Sequence, residues 1–211
     1  MSSTNRGGVR SPADFYPTPA WCVARLLEAT DLPGGHWLEP CAGDGAILRA
    51  VNAVRGDLRW SAVELRPACA PALRQALGPQ GRLHTGSLFS AQDFLAQDPA
   101  SVLITNPPFR LAREVLALGL AQDATVVLLL RLNFLASAGR AEQMRRHAPD
   151  VYVLPNRPSF AGGGRTDSVE YGWFVWPRGQ RERSSGSLQV LAPTPARERR
   201  PSTGARLSKV V

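Results

Sequence analysis

The sequence predicts an α/β fold organised around a mostly parallel sheet. Two apolar runs, Ser101 to Thr105 and Thr125 to Leu132, are continuous rather than alternating, as in strands covered on both faces. Runs of this kind alternate along the chain with segments of helical spacing, the pattern of successive strand-helix-strand units. The turns that follow the strands carry glycines, a carboxylate and an amide, and open α/β sheets place their ligands at the carboxyl ends of strands.

The elements follow in order. Residues 1–13 are small, polar and glycine-bearing and are expected to be disordered. Thr18-Pro19 opens a helix over Ala20 to Ala29, with threonine as cap and proline at the first helical position. That capped N-terminus either belongs to a plain surface helix or receives a carboxylate. His36 to Pro40 is a strand, Cys41 to Gly45 a glycine turn, and Ala46 to Val54 a helix. Leu58 to Leu65 is the second strand, closed by Glu64 about 20 residues after the turn, where an acid meets ribose hydroxyls in nucleotide-binding α/β folds. The helix 68–77 and the strand 82–85 follow, then Gly86-Ser87-Leu88-Phe89. The strand ending at Asn106 is stopped by Pro107 and Pro108. Beyond it lie a helix over 111–120, the strand 125–132, a short basic helix over 139–147, and strands 151–154 and 170–176. The loop between the last two is polar and arginine-bearing and includes Phe160. From Arg178 the composition turns to Arg, Ser, Gly and Pro, and the segment 178–211 is expected to be a disordered basic tail. Arg178, Arg181, Arg183, Arg197, Arg199, Arg200, Arg206 and Lys209 against Glu182 and Glu198 give it a net +6.

Composition narrows the class. The formal charge over 211 residues is +8, nearly all from arginine, which favours phosphate and guanine contacts and suits a polyanionic partner. Cys22, Cys41 and Cys69 share no CxxC spacing, so neither a disulfide framework nor a zinc site is indicated, and no metal is expected. A reducing cytoplasm fits best. No secretory leader is expected at Met1 to Ser11, and the longest apolar run, Val126 to Leu130, is too short to span a membrane.

The chemistry concentrates at Asn106-Pro107-Pro108-Phe109. The Asn106 carbonyl oxygen and the Pro107 backbone carbonyl can accept two hydrogen bonds from an –NH₂ group, while Phe109 offers a face for a flat ring. This tetrapeptide after a buried strand resembles the catalytic motif of S-adenosylmethionine-dependent amino methyltransferases, particularly the N6-adenine type. N4-cytosine enzymes more often begin the motif with serine. Glu39-Pro40-Cys41-Ala42-Gly43-Asp44-Gly45 is similar to the first cofactor motif of class I methyltransferases, while the dinucleotide fingerprint GxGxxG is absent. The resemblance covers about residues 14–177, and the start Tyr16-Pro17-Thr18-Pro19 is similar to that of methyltransferases of phages and prophages.

The resemblance implies a three-layer α/β/α sandwich of seven strands with a reversed last strand, and S-adenosylmethionine as cofactor. Tyr16, Thr18, Glu39, Pro40, Cys41, Ala42, Gly43, Gly45, Glu64, Leu65, Ser87, Leu88 and Asn106 would then surround the cofactor. Many relatives carry an aspartate where this chain has Ser87, so Ser87, Leu88 or Asp93 is left to meet the cofactor adenine. Asn106 to Phe109 would act on the target amine, with Phe160 against an extruded base and Arg131 near a phosphate or a neighbouring carboxylate. Tyr171, Trp173, Phe174 and Trp176 read as structural. The expected substrate is adenine in DNA. Adenine in RNA, a protein glutamine and a non-catalytic nucleic-acid-binding role remain alternatives. Larger relatives carry a target-recognition domain, so recognition here falls to loops such as 133–150 or 156–168, to a partner or to a second subunit, or is loose.

Overall fold

The computed structural model describes residues 17–160, 166–180 and 182–199. Its strands sort their side chains to two faces by simple alternation. In β4 (Val102–Thr105) and β5 (Thr125–Arg131), Val102, Ile104, Val127 and Leu129 enter one core, and Leu103, Val126, Leu128 and Leu130 enter the other. The first core is closed by α1 (Ala20–Ala29), α2 (Ala46–Asn52) and α3 (Ala70–Leu77) through Leu26, Leu48 and Leu73. The second is closed by α4 (Gln92–Ala96) and α5 (Ala112–Ala121) through Leu95, Val115 and Leu116. The short α6 (Ala141–Arg146) adds Met144 to that side. Covering on both faces is why the strands read as unbroken apolar runs. The result is the expected three-layer sandwich.

The remaining strands are β1 (His36–Glu39), β2 (Arg59–Glu64), β3 (Arg82–Thr85), β6 (Asp150–Val153), β7 (Tyr171–Trp176) and β8 (Leu188–Val190). The sheet order is β3-β2-β1-β4-β5-β7-β6-β8. β3, β2, β1, β4 and β5 are parallel, and β7 is antiparallel to both β5 and β6. Sequence order reverses between β1 and β4, which opens a crevice beyond their carboxyl ends. Helix α5 packs close over β5 at Gly119, where any Cβ would run into Val126.

Several expectations need correction. The sheet has eight strands rather than seven, and the eighth comes from the segment read as a disordered tail. β8 pairs in parallel with β6, Leu191 is buried, and Arg183 makes two 2.8 Å hydrogen bonds to the Asp150 carboxylate. Main-chain pairing and ion pairs to residues distant in sequence, Arg183 with Asp150 and Glu198 with Arg25, order this stretch, and neither leaves a mark in local composition. Thr18 is not the cap of α1. Pro19 occupies that position without a side-chain cap, and the Thr18 hydroxyl is used elsewhere. Helix α2 ends at Asn52 rather than Val54, and the five-residue α4 has no periodic signal long enough to read. Residues 1–13 and the tail beyond residue 199 lie outside the described residues. Among the described residues no helix is long and apolar enough to cross a membrane.

Candidate methyl-transfer site

A cavity of about 750 Å³ opens at the crevice between β1 and β4. It lies within the size range of small-molecule sites. The glycine turn after β1 forms one wall. Gly43 (φ 58°) and Gly45 (φ 81°) adopt left-handed backbone that a side chain would strain, and a Cβ on Gly45 would press on Leu73 at 3.2 Å. The turn is tied to the two neighbouring strands. Ala42 N–H donates to the Val63 carbonyl at 3.0 Å, Gly43 N–H to Glu64 Oε2 at 2.7 Å, and Thr105 Oγ1 to the Cys41 carbonyl at 3.4 Å.

Two acidic side chains line this wall with acceptors left over. Glu39 is 2% exposed, and its Oε2 has no hydrogen-bond partner. Burial pushes its carboxyl well above the usual range, partly offset by the Leu48 backbone N–H. Asp44 Oδ1 is also buried without a partner, while Oδ2 accepts from Arg49 Nη2 at 2.8 Å. Orphaned buried acceptors carry a desolvation cost that a cationic ligand would remove. Cys41, whose thiol is pushed up to about 12 by burial, is inert here.

Glu64 is arranged differently from a free strand-end acid. Oε1 accepts from Arg66 N–H at 3.0 Å and Arg66 Nε at 2.7 Å, and Oε2 accepts from Gly43 N–H. A carboxylate offers about four acceptor positions, so about one remains for a ligand. Much of Glu64's capacity holds the glycine turn in place. Leu65, 57% exposed, and Leu88 present apolar surface to the cavity beside it. Ser87 also lines the cavity, but its hydroxyl accepts from Phe89 N–H at 3.2 Å and caps the short 3-10 helix Leu88–Ser90. Asp93 is not among the lining residues, so of the three substitutes for the missing aspartate only Ser87 and Leu88 reach the cavity.

Asn106 stands at the end of β4 on the same cavity, with Pro107, Pro108 and Phe109. Its Nδ2 donates to Thr18 Oγ1 at 3.2 Å. That bond leaves the amide oxygen as the free acceptor end. Phe109 is 47% exposed, with the Arg131 guanidinium carbon 4.1 Å from its ring centroid. Arg131 Nε donates to Tyr171 Oη at 3.3 Å, and Tyr171 donates to Asp167 Oδ2 at 2.7 Å. Asp167 also forms an ion pair with Arg131 at 3.8 Å. Burial pushes the Tyr171 phenol up to about 12, so it is a donor throughout the physiological range. Phe160 packs edge-on to Tyr171 at 5.1 Å.

The cavity thus brings together Thr18, Glu39, Pro40, Cys41, Ala42, Gly43, Glu64, Leu65, Ser87, Leu88, Asn106 to Phe109, Arg131 and Phe160. Gly45 sits behind the wall as the residue that turns the chain into α2. Tyr16 lies outside the described residues. Sequence reasoning missed Asp44, Phe89, Asp167 and Tyr171, all of which line the cavity. Asp44 lay inside the glycine motif and could have been found there. Tyr171 looked like one more residue of an apolar strand, and Asp167 like loop polarity.

No family model matches the chain, and no curated protein matches it in sequence. Solved structures do match in fold. A predicted O-methyltransferase from Agrobacterium tumefaciens aligns over 83% of this chain and 86% of its own, with TM-score 0.58 and 19% identity. The 23S rRNA methyltransferase ErmE aligns over 80% and 71%, with TM-score 0.54 and 15% identity. A putative tRNA (m1A22) methyltransferase from Streptococcus pneumoniae aligns over 77% and 72%, with TM-score 0.50 and 17% identity. The fold is therefore that of the class I methyltransferases, which use S-adenosylmethionine as methyl donor. The residues present suit that group. The glycine turn, bare of side chains, admits a ligand close to the backbone, and the orphaned Glu39 and Asp44 oxygens match an ammonium. Among the described residues no cluster of three or more His, Cys, Asp or Glu could hold a metal ion.

Proposed function

We propose that this protein transfers the methyl group of S-adenosylmethionine to the exocyclic N6 of adenine in DNA. The observation that carries the reading is the fixed Asn106 amide. With Nδ2 committed to Thr18, the Asn106 carbonyl oxygen is left to accept from a substrate –NH₂ group, and the Pro107 carbonyl would supply a second acceptor. S-adenosylmethionine supplies an electrophilic methyl group on a sulfonium. Glu39 and Asp44 would receive its ammonium, the Thr18 segment its carboxylate, the remaining acceptor of Glu64 a ribose hydroxyl, and Leu65 and Leu88 the faces of its purine.

An aromatic amine is a poor nucleophile because its lone pair is delocalised into the ring. Two hydrogen bonds to Asn106 and Pro107 favour a tetrahedral nitrogen and free the lone pair. That pair forms the new N–C bond as the S–C bond breaks with its electrons left on sulfur, and the surplus N6 proton passes to water. In a duplex the adenine must first leave the stack, at a cost of a few kcal/mol. Stacking on Phe109, typically about 1–3 kcal/mol per base, offsets much of that. Arg110, which lines the cavity, suits a phosphate of a polyanion.

Adenine in RNA is the second reading, favoured by the likeness to ErmE and the putative tRNA methyltransferase. Labelled methyl transfer to unmethylated DNA, total RNA and a protein extract in parallel separates the readings. Label in DNA supports the first, label in RNA the second, and label in protein would indicate a glutamine amide instead.

A further inference from the structure

One face of the Phe109 ring is already covered, although the residue as a whole is 47% exposed. The guanidinium of Arg131 lies 4.1 Å from the ring centroid, too close for a base to fit between them, because an intervening ring needs about 3.5 Å of contact distance on each side. Arg131 reaches that place from the end of β5, the strand next to the one that ends at Asn106. It is held there by Tyr171 Oη at 3.3 Å and by the Asp167 carboxylate at 3.8 Å, and Tyr171 and Asp167 are themselves bonded at 2.7 Å. A planar cation on an aromatic face is a fair imitation of a planar base.

We propose that the Arg131 guanidinium occupies the target-base position on Phe109 when no base is bound, and that base entry requires it to leave. This rests on the reading that Phe109 stacks the target base. Arg131 is a gatekeeping residue: to swing off the ring it gives up the bond to Tyr171 and the ion pair with Asp167 that hold it in the covering position. The occupied ring keeps an exposed aromatic covered, and only a base that stacks better than a guanidinium displaces it. The ligand class is therefore a flat base presented singly, not an aliphatic amide, which gains nothing by competing for a ring face.

Adenosine binding to protein saturated with S-adenosylhomocysteine tests this, since the cofactor's own purine site is then filled. Arg131→Met should bind adenosine about fivefold more tightly than the parent, the size expected for one lost cation–ring contact. Arg131→Lys should fall between them. In the parent protein the Arg131 Nε–H resonance, shifted upfield by the Phe109 ring and identified by its loss in Arg131→Met, should move downfield on adding adenosine. Unchanged or weaker adenosine binding by Arg131→Met overturns the assignment. A resonance that stays upfield at saturation overturns it too, as does absence of adenosine binding by every variant that still binds S-adenosylhomocysteine. Adenosine results as expected, with no N6-methyladenine formed in DNA or RNA, would leave this assignment standing and remove the proposed activity instead.

Discussion

Asn106 Nδ2 donates to Thr18 Oγ1 across 3.2 Å, joining two residues 88 positions apart. Thr18 is 5% exposed, so the bond is shielded and fixes which end of the amide faces the cavity. Thr18→Val keeps the shape and removes the acceptor. Steady-state methyl transfer should show kcat reduced about tenfold, the equivalent of one hydrogen bond of about 1.4 kcal/mol. Thr18→Ser should restore most of it, and melting temperature should change little in either variant.

Glu39 is strained by its own burial. A carboxyl whose folded pKa is raised binds more protons folded than unfolded, so its penalty on stability grows as pH climbs from about 4.3 toward the raised value. Glu39→Gln removes the charge at constant size. Denaturant unfolding at pH 8 should find it as stable as the parent or more so. Calorimetry should find S-adenosylmethionine binding at least about tenfold weaker, since the ammonium loses its charged acceptor.

Gly119 sets how near α5 can lie to β5. In Gly119→Ala the new methyl group meets Val126 and, at 3.3 Å, Leu103. Overpacking of this kind costs about 1–3 kcal/mol. Urea titration should show a lower midpoint with an unchanged slope.

The C-terminal segment is part of the folded body. Beyond β8, Thr194 N–H donates to Asn156 Oδ1 at 2.7 Å, Thr194 Oγ1 accepts from Arg25 Nε at 3.2 Å, and Glu198 pairs with Arg25 at 2.6 Å. Ending the chain at residue 177 should lower the melting temperature by about 5 °C or more, consistent with a loss of about 2 kcal/mol, whereas ending it at 199 should not. Asp150 shows the pH signature of this anchor. Burial alone would raise its carboxyl, but Arg183 and the Ser187 donors bring it down to about 2. Its contribution is full above the unfolded value of about 3.9 and is lost as pH falls toward 2. Asp150→Asn should flatten that part of the stability curve.

Much of this architecture was legible because local chemistry and global fold agree. Thr125 to Arg131 could only be a buried strand, and helix α1 was bounded correctly by its periodicity. Glycines at 43 and 45 required the turn they make. What could not be read depends on partners distant in sequence. Thr18 was taken for a helix cap because nothing in Thr18-Pro19 reveals Asn106, and Glu64 for a free ribose ligand because nothing in its strand reveals the Gly43 N–H. Leu188 to Val190 became a strand only because β6 offers it an edge. Tyr171 was assigned to packing, yet one end of the ring is core and its hydroxyl reaches Arg131 and Asp167.

The measurement that tests the central claim most directly is nucleoside analysis of DNA methylated by the parent protein and by Asn106→Ala, with S-adenosylmethionine binding measured on both. The expected result is N6-methyl-2′-deoxyadenosine with the parent, its loss with Asn106→Ala, and cofactor binding within a fewfold of the parent. Product that persists in Asn106→Ala, or a methyl group found on another atom of the base, would contradict it.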